Sequence, residues 1–357
     1  MITIHQTDLL NGIKAIKSTC GKMTLNPILG TFHIKTIGQS LQLTATDTDS
    51  SARTVIEANV TEQVEFCVNA DKLENIVNAL DNLITIDIQE TNAIIKSGNT
   101  EFNLLTLLPI DFPPITFELP EDNKITLDKT SFTEGVNKTA FATLQETSAL
   151  IGGVCITFNK EKGYEMAATD GNRLSQVIFT DKPVNTEGQY VIPKKVLLDV
   201  AKTCGNEIEI YFNPTKVIFK TDNYLFMTSL LNGNYPKYQQ LIPQNNPNKA
   251  IIKRTDLLHS LEKVAIMSDD RQSLTTFNFT NNSLDLFTKS DNGNAKDKFD
   301  VDYTNSDLKI SFNYKFLLEG IRAMDTENIT FEMNLPTSAC LIKGNFNYLV
   351  MPVVMKG

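Results

Sequence analysis

Histidine is scarce in this chain, with three in 357 residues. His5, His33 and His259 stand far apart with no ligand spacing between them, so no histidine-built metal site is expected. Cysteine gives no site either: Cys20, Cys67, Cys155, Cys204 and Cys340 form an odd, scattered set without a C-x-x-C pair, and read as buried thiols. No run of about 18 apolar residues is present to span a bilayer. The opening Met1-Ile2-Thr3-Ile4-His5 lacks the basic and apolar regions of a secretory signal, so the expected location is the cytoplasm. A Walker-type glycine loop and a dinucleotide fingerprint are both missing, which removes the usual grounds for a nucleotide site. Asp47-Thr48-Asp49-Ser50-Ser51 begins like a calcium loop, but Ala52 and Ala58 stand where a glycine and a bidentate glutamate belong. The expectation is a protein with no metal and no cofactor.

Positive charge is also short. The net charge is −9, which counts against a protein that coats nucleic acid over its whole surface, because phosphate binding rests on a basic face. It leaves open a protein that segregates its charge. Hydrophobic residues make up 41% and charged residues 21% of the chain, the balance of an ordinary globular protein without low-complexity segments.

What the chain has in abundance is itself. Thr7-Asp8-Leu9, ahead of an apolar-periodic segment, recurs as Thr130-Ser131-Phe132 and Thr255-Asp256-Leu257. Lys72, Lys195 and Lys315 open a second amphipathic segment in each copy, and Ile84, Ile208 and Ile329 begin a strand after it. Thr46-Asp47, Thr169-Asp170 and Ser290-Asp291 form a fourth series. Landmarks in one order at one spacing of about 120 residues imply three domains of one fold rather than a solenoid of short units. Their expected borders are 1–122, 123–246 and 247–357, at the turn-rich links Pro109 to Asn123 and Pro243 to Lys249.

Each copy predicts a strand and a helix, alternating strands, a second helix and a closing hairpin. Ile84 to Ile88 and Ala93 to Lys96 read as one such hairpin across Gln89-Glu90-Thr91-Asn92. The fold class is α+β, with two helices packed on one side of antiparallel sheets. The first helices carry apolar stripes at Leu9, Ile13 and Ile16, at Phe132, Val136 and Ala140, and at Leu257, Leu261 and Val264. Lys14, Lys17, Lys22, Lys138 and Lys263 fall outside those stripes. On the second helices, Lys195, Asp199 and Lys202, and Lys315, Glu319 and Arg322, share faces at i, i+4, i+7. A solvated face with i,i+4 pairing explains any one helix. Its recurrence on corresponding helices favours a functional basic surface, lining the inner side if the array curves.

Several runs resemble a known family. Asn26-Pro27-Ile28-Leu29-Gly30, Leu43-Thr44-Ala45-Thr46-Asp47, Asp111-Phe112-Pro113, Ala168-Thr169-Asp170-Gly171-Asn172-Arg173-Leu174, Gly233-Asn234-Tyr235-Pro236-Lys237-Tyr238 and Tyr348-Leu349-Val350-Met351-Pro352 are similar to the bacterial sliding clamps, the beta subunits of DNA polymerase III. The likeness covers the whole chain in order. It implies a head-to-tail homodimer, six domains in a ring around duplex DNA, that is not an enzyme and tethers the replicative polymerase as a processivity factor. The implied partners are the polymerase alpha subunit, the clamp loader, and other polymerases and repair proteins, all through short peptides.

Carried over by position, the resemblance implies a peptide pocket from Ile151, Thr169, Gly171, Asn172, Arg173 and Leu174, from Pro236, Gln240 and Leu241, and from Leu349, Met351, Pro352 and Val353. It implies a DNA channel faced by Lys14, Lys17, Lys22, Lys138, Lys195, Lys202, Lys263, Lys315 and Arg322. Its ring interface falls on Phe102 and Leu104 and on Ile266 and Met267. The chain departs from the family at Asn172, Gln240 and Val354, where basic or histidine side chains are common, and in its ending Met355-Lys356-Gly357. Two alternatives stand beside this reading: a clamp homologue specialised for a mobile element or antibiotic resistance, and an enzyme with a site at Asp170 and Arg173. Within the repeat, Asp170 matches Asp47 and Asp291 and reads as a strand-end turn residue.

Overall fold

The computed structural model describes residues 1–22, 26–144, 149–203, 205–268 and 273–354; Cys204 and Met355-Lys356-Gly357 lie outside them. Among these residues the α-helices are α1 (Gln6–Ile16), α2 (Ala70–Ala79), α3 (Lys129–Thr139), α4 (Lys194–Thr203), α5 (Arg254–Ala265) and α6 (Tyr314–Arg322). They fall two to each copy of the repeat. The predicted stripes are buried on all three first helices: Leu9, Ile13 and Ile16 on α1; Phe132 and Val136 on α3, followed by Ala140; and Leu257, Leu261 and Val264 on α5. Asparagine starts two of the second helices. The Asn69 side chain accepts from the Lys72 amide of α2, and Asn313 from the Lys315 amide of α6, each satisfying one amide that the first helical turn leaves unpaired.

The chain divides into two compact units. One is Met1–Thr133 with Lys195–Leu230; the other is Glu134–Lys194 with Leu231–Gly357. Each unit takes part of the middle repeat together with one neighbouring repeat. The reason lies in the sheets. In the first unit, strand Tyr224–Ser229 pairs antiparallel with Ser50–Glu57, joining strands of the middle repeat to the first in one 13-stranded sheet. In the second, strand Asn347–Val350 pairs with Arg173–Phe179 inside an eight-stranded sheet, and Leu274–Thr280, Ser283–Ser290, Gly293–Asp300 and Leu308–Asn313 make a separate four-stranded sheet. The predicted hairpin is present as strands Leu83–Gln89 and Asn92–Ser97, but Gln89 pairs with Asn92. Its loop is therefore the two residues Glu90 and Thr91, with Glu90 at φ 52°, as tight two-residue hairpins require.

Among the described residues, Glu209, Glu332 and Asp285 each hold two lysines. In the first unit Glu209 binds Lys124 and, at 2.7 Å, Lys220, and accepts from the Tyr211 hydroxyl at 2.9 Å. Hydrogen bonds from the two lysines hold its carboxyl down at about 2. A carboxyl depressed in the folded chain stabilises it fully above the unfolded value near 4.5, and that contribution is lost as pH falls from there toward 2. Urea midpoints of the native chain are expected to drop more steeply between pH 5 and pH 2.5 than those of Glu209→Gln, which lacks this titration; parallel curves would show that Glu209 contributes nothing.

Candidate functional site

The turn from Thr169 to Leu174 is built almost entirely from its own side chains. Thr169 Oγ1 donates to the Arg173 carbonyl at 2.6 Å and accepts the Gly171 amide at 3.1 Å. Asp170 Oδ1 accepts the amides of Asn172 and Arg173 at 2.9 and 3.1 Å. This is the side-chain-to-backbone turn expected of a strand-end aspartate. Gly171, at φ +91°, takes the one position in it that disfavours a side chain. Beyond the turn, Leu174 lies opposite Leu349, and the Met351 amide donates to the Asn172 carbonyl at 2.8 Å. The Val353 amide donates to the Ser311 carbonyl at 2.8 Å, so the last strand and the segment after it are held from both sides.

Leu174 and Leu349 belong to an apolar cluster with Cys155, Ala167, Val191, Tyr235, Tyr238 and Leu341, against which Leu150, Leu231, Ile242 and Ala339 pack. Two tyrosines anchor its floor. Tyr235 donates no charge to the site: burial pushes its hydroxyl up, and it sits 3.2 Å from the Thr169 amide. The Tyr238 hydroxyl, likewise pushed up by burial and by Glu165, donates to that carboxylate at 2.6 Å. The Cys155 thiol is pushed up to about 12 by burial, so it remains an uncharged apolar filler. Around this floor the apolar residues Leu241, Met351, Val353 and Val354 are exposed, at 58, 43, 43 and 62%. A buried apolar floor with exposed apolar residues along the same chain segments is the composition of a site for an apolar ligand segment.

The structure therefore brings Leu174 and Leu349 into one cluster, with Met351 tied to the neighbouring turn. Pro236, Gln240 and Leu241 are exposed on the segment carrying Tyr235 and Tyr238, and Pro352 is half-buried beside Met351. Ile151 is half-buried, but it is Leu150, one residue earlier, that packs against the cluster. The residue list drawn from the sequence omitted Tyr235 and Tyr238. Their alternation with polar residues in Gly233-Asn234-Tyr235-Pro236-Lys237-Tyr238 is the signal that marks them as inward-facing.

Arg173 does not turn its guanidinium to this cluster. Neighbouring strand residues face opposite sides, and with Leu174 in the cluster, Arg173 points to the helices. Its Nε donates to Asp170 Oδ2 at 2.9 Å and its Nη2 to the Phe141 carbonyl at 2.8 Å, while Nη1 meets the Glu319 carboxylate of α6. The guanidinium lies 4.4 Å from the centre of the Phe316 ring and 5.7 Å from that of Phe141. Burial opposes its charge, but the Tyr348 hydroxyl and Glu319 outweigh it and hold the guanidinium above its ordinary range. Both Asp170 oxygens and the guanidinium are committed to one another and to the turn. These contacts are those of a residue pair that shapes a turn.

The basic helix faces are less open than the sequence suggests. Lys14, Lys22, Lys202 and Lys315 are exposed. Lys17 is held between Asp71, at 2.8 Å, and Glu74. Lys195 pairs with Asp47 at 2.9 Å, Lys263 with Asp297 at 3.2 Å and Arg322 with Glu262 at 2.7 Å. Lys138 overturns its placement on a solvated face. Its side chain is 4% exposed, between Glu134 and, at 3.6 Å, Asp325. Asp199 also departs from the expected i,i+4 pairing: it is buried, accepts from the Ser18 hydroxyl at 2.5 Å, and burial raises its carboxyl.

At the positions named for an interface, Phe102, Leu104 and Met267 are half-buried and Ile266 is 79% exposed. In the first unit, the Ser51 and Met227 pair corresponds to Leu174 and Leu349. Beside it lies a cavity of about 660 Å³ with a more polar lining that includes Thr46, Thr48, Asp49, Asn213 and Lys216. An apolar cluster of Tyr211, Ile218 and Met227, with Ile115, Phe117 and Leu119 packed on it, lies there too, so the two junctions differ in the polar residues beside the cluster, with Ser51 standing where the second has Leu174.

Comparison with known proteins agrees along the whole length. Residues 1–116, 126–237 and 239–357 match, in order, the N-terminal, central and C-terminal domain families of the DNA polymerase III beta subunit. The chain is 26% identical over 365 residues to the beta sliding clamp of Pseudomonas aeruginosa, covering 98% of this chain and 99% of that one. It is 27% identical over 368 residues to the beta sliding clamp of Chlamydia pneumoniae, covering 98% of each. The fold is similar to the crystal structure of the DNA polymerase III beta subunit of Thermotoga maritima, at a TM-score of 0.92, 24% identity and 99% coverage of both chains. It is also similar to a sliding clamp of Bartonella birtlesii bound to griselimycin, at a TM-score of 0.91, 25% identity and the same coverage.

Proposed function

Because the chain belongs to the family of DNA polymerase III beta subunits, the bacterial beta sliding clamps, we propose that two copies close head to tail into a ring of six repeats around duplex DNA. It is a DNA sliding clamp, a non-catalytic processivity factor of replication. Its place of work is the cytoplasm, on the chromosome.

The observation that carries the ring is the repeated way in which one copy of the domain joins the next. Phe226 lies opposite Ala52 at the first junction, and Tyr348 opposite Ser175 at the second. Those inner residues pair within their own sheets with Ala45 and Ala168; the third hairpin closes two residues sooner, at Ser290 opposite Gly293, and its inward-facing pair is Thr288 and Ala295. Phe226 and Tyr348 pair with Phe219 and Ile342, as Phe102 does with Ile95. Ala295 and Phe102 therefore stand on the two strands with no partner for this third junction. Strand Gly293–Asp300 ends its sheet, and residues 100–105 of strand Thr100–Leu107 pair on one side only. Setting Phe102 of one copy opposite Ala295 of another places Leu104 against Gly293, beside Met267, and Glu101 against Lys296. Pairing two open edges covers both, and a head-to-tail contact that closes gives a ring.

Within the ring the exposed Lys14, Lys22 and Lys202 meet phosphates first. The ion-paired Lys17, Lys195, Lys263 and Arg322 exchange a carboxylate for a phosphate as DNA passes. Contacts that are few, exchangeable and blind to sequence suit sliding. The apolar pocket receives short peptides of the polymerase alpha subunit, the clamp loader and other polymerases and repair proteins. Apolar anchors fill the floor around Leu174 and Leu349, and Met351 adapts to them.

Sedimentation over a dilution series tests the ring: the expected mass is twice the 39.8 kDa of the chain. Loaded on nicked circular DNA, the protein is expected to stay bound until the circle is cut, then slide off the ends. A monomer at every concentration, or equal retention on linear and circular DNA, would refute it.

A further inference from the structure

The repeat places Phe141 where the first copy has Ser18, and Glu319 where the second copy has Asp199. Both pairs of positions meet. Ser18 binds Asp199 directly, while Phe141 and Glu319 are linked through the guanidinium of Arg173. The corresponding residue at the first junction, Ser50, has no such reach: its hydroxyl bonds Thr228 at 3.0 Å. Arg173 therefore supplies, at the junction of Leu174 and Leu349, a link that Ser50 does not supply at the first. It is 6% exposed, between two aromatic rings, with its donors spent on Asp170, Glu319 and the Phe141 carbonyl.

We infer that Arg173 is a positioning residue for peptide binding: it does not touch the peptide, but ties the Asp170 turn to Glu319 of α6 and so sets the wall formed by Asn172 and Leu174. The inference rests on the pocket reading given above. The chain of contacts is short. Asp170 accepts the guanidinium through Oδ2 and shapes the turn through Oδ1. The same turn presents the Asn172 carbonyl that seats the Met351 amide. Loss of the guanidinium leaves a carboxylate with 9% of its side chain exposed short of a partner, which is costly. The turn then relaxes toward water, and Leu174 and Met351 lose their fixed separation. Lysine at this position keeps the charge but not the planar fork.

The test is fluorescence anisotropy of a labelled hexapeptide with an apolar C-terminal pair, run on the full-length chain. Glu319→Gln, which alters a helix residue outside the apolar cluster, is expected to weaken binding about threefold. Arg173→Gln is expected to weaken it about tenfold, with Arg173→Lys in between, since hydrogen bonds to charged groups are each worth more than neutral ones. The double variant Arg173→Gln, Glu319→Gln is expected to lose no more than Arg173→Gln, because the two act as one unit. Losses must be the same for peptides with and without an acidic residue. Hydrogen exchange of residues 169–174 is expected to quicken in each variant, even where the melting temperature is unchanged. Direct contact with the peptide is the result if Glu319→Gln binds as the native chain does, or if the Arg173→Gln loss appears only with acidic peptides; either overturns the inference. If Leu174→Ala leaves the native affinity intact, it is the pocket reading that fails, whatever Arg173 does.

Discussion

Replacing Ile266 and Leu104 together with aspartate is expected to yield a folded chain that sediments as a monomer. Ile266 is 79% exposed in the single chain, so within that chain it has little apolar burial to lose. Any large effect must come from a surface buried only on association. Ile266 holds the position of Ser18 and Phe141, which meet the following repeat at Asp199 and at Phe346 and Tyr348. Leu104 stands against Gly293 in the pairing proposed for two copies. A buried carboxylate with no partner costs several kcal/mol, so two of them raise the dimer dissociation constant by about a thousandfold or more. Retained circular-dichroism melting with a halved sedimentation mass supports the interface. A dimer as tight as the native one would place the contact elsewhere. The register has its own check: Glu101→Lys weakens the dimer, and Lys296→Glu in the same chain restores it only if those two positions oppose each other.

Leu174→Ala with Met351→Ala is expected to weaken peptide binding by about a hundredfold while the dimer persists. Leu174 is 3% exposed within the cluster and Met351 is 43% exposed at its edge. The first substitution removes part of the floor and the second an adaptable anchor, each worth about 1–2 kcal/mol of contact with an apolar side chain. Neither residue lies on the strands proposed to join two copies. Isothermal titration with the hexapeptide reads the affinity, and sedimentation of the same sample reads the dimer. An unchanged affinity would move the binding site away from the second junction.

The helices were legible in the sequence because their stripes answer to local spacing: Leu9, Ile13 and Ile16 are buried where the 3.6-residue period puts them. The repeat was legible for a similar reason, since its landmarks are strand ends and helix starts with their own residue preferences. Charge was not. Lys138 lies off the apolar stripe of α3, yet it is buried and pairs with Asp325, far along the chain, and no local pattern records that approach. Lys17 and Lys195 look like solvated lysines until Asp71, Glu74 and Asp47 are brought beside them. Arg173 is the instructive case. Leu174 lies in the apolar cluster, and the two-residue strand period sends the arginine to the other face, a consequence that the strand pattern alone contains. Tyr235 and Tyr238 show the reverse: they lie in a recognised run, but between an exposed Pro236 and Lys237 their burial depends on the cluster beneath them.

The two internal junctions also differ as mechanical joints. At the first, a hydroxyl meets a carboxylate whose burial already disfavours its charge; at the second, an arginine is gripped by two carboxylates, a carbonyl and two rings. The first junction leans on its longer strand pairing, five residue pairs against four, whereas the second adds a charged side-chain grip beneath the surface that carries the apolar residues.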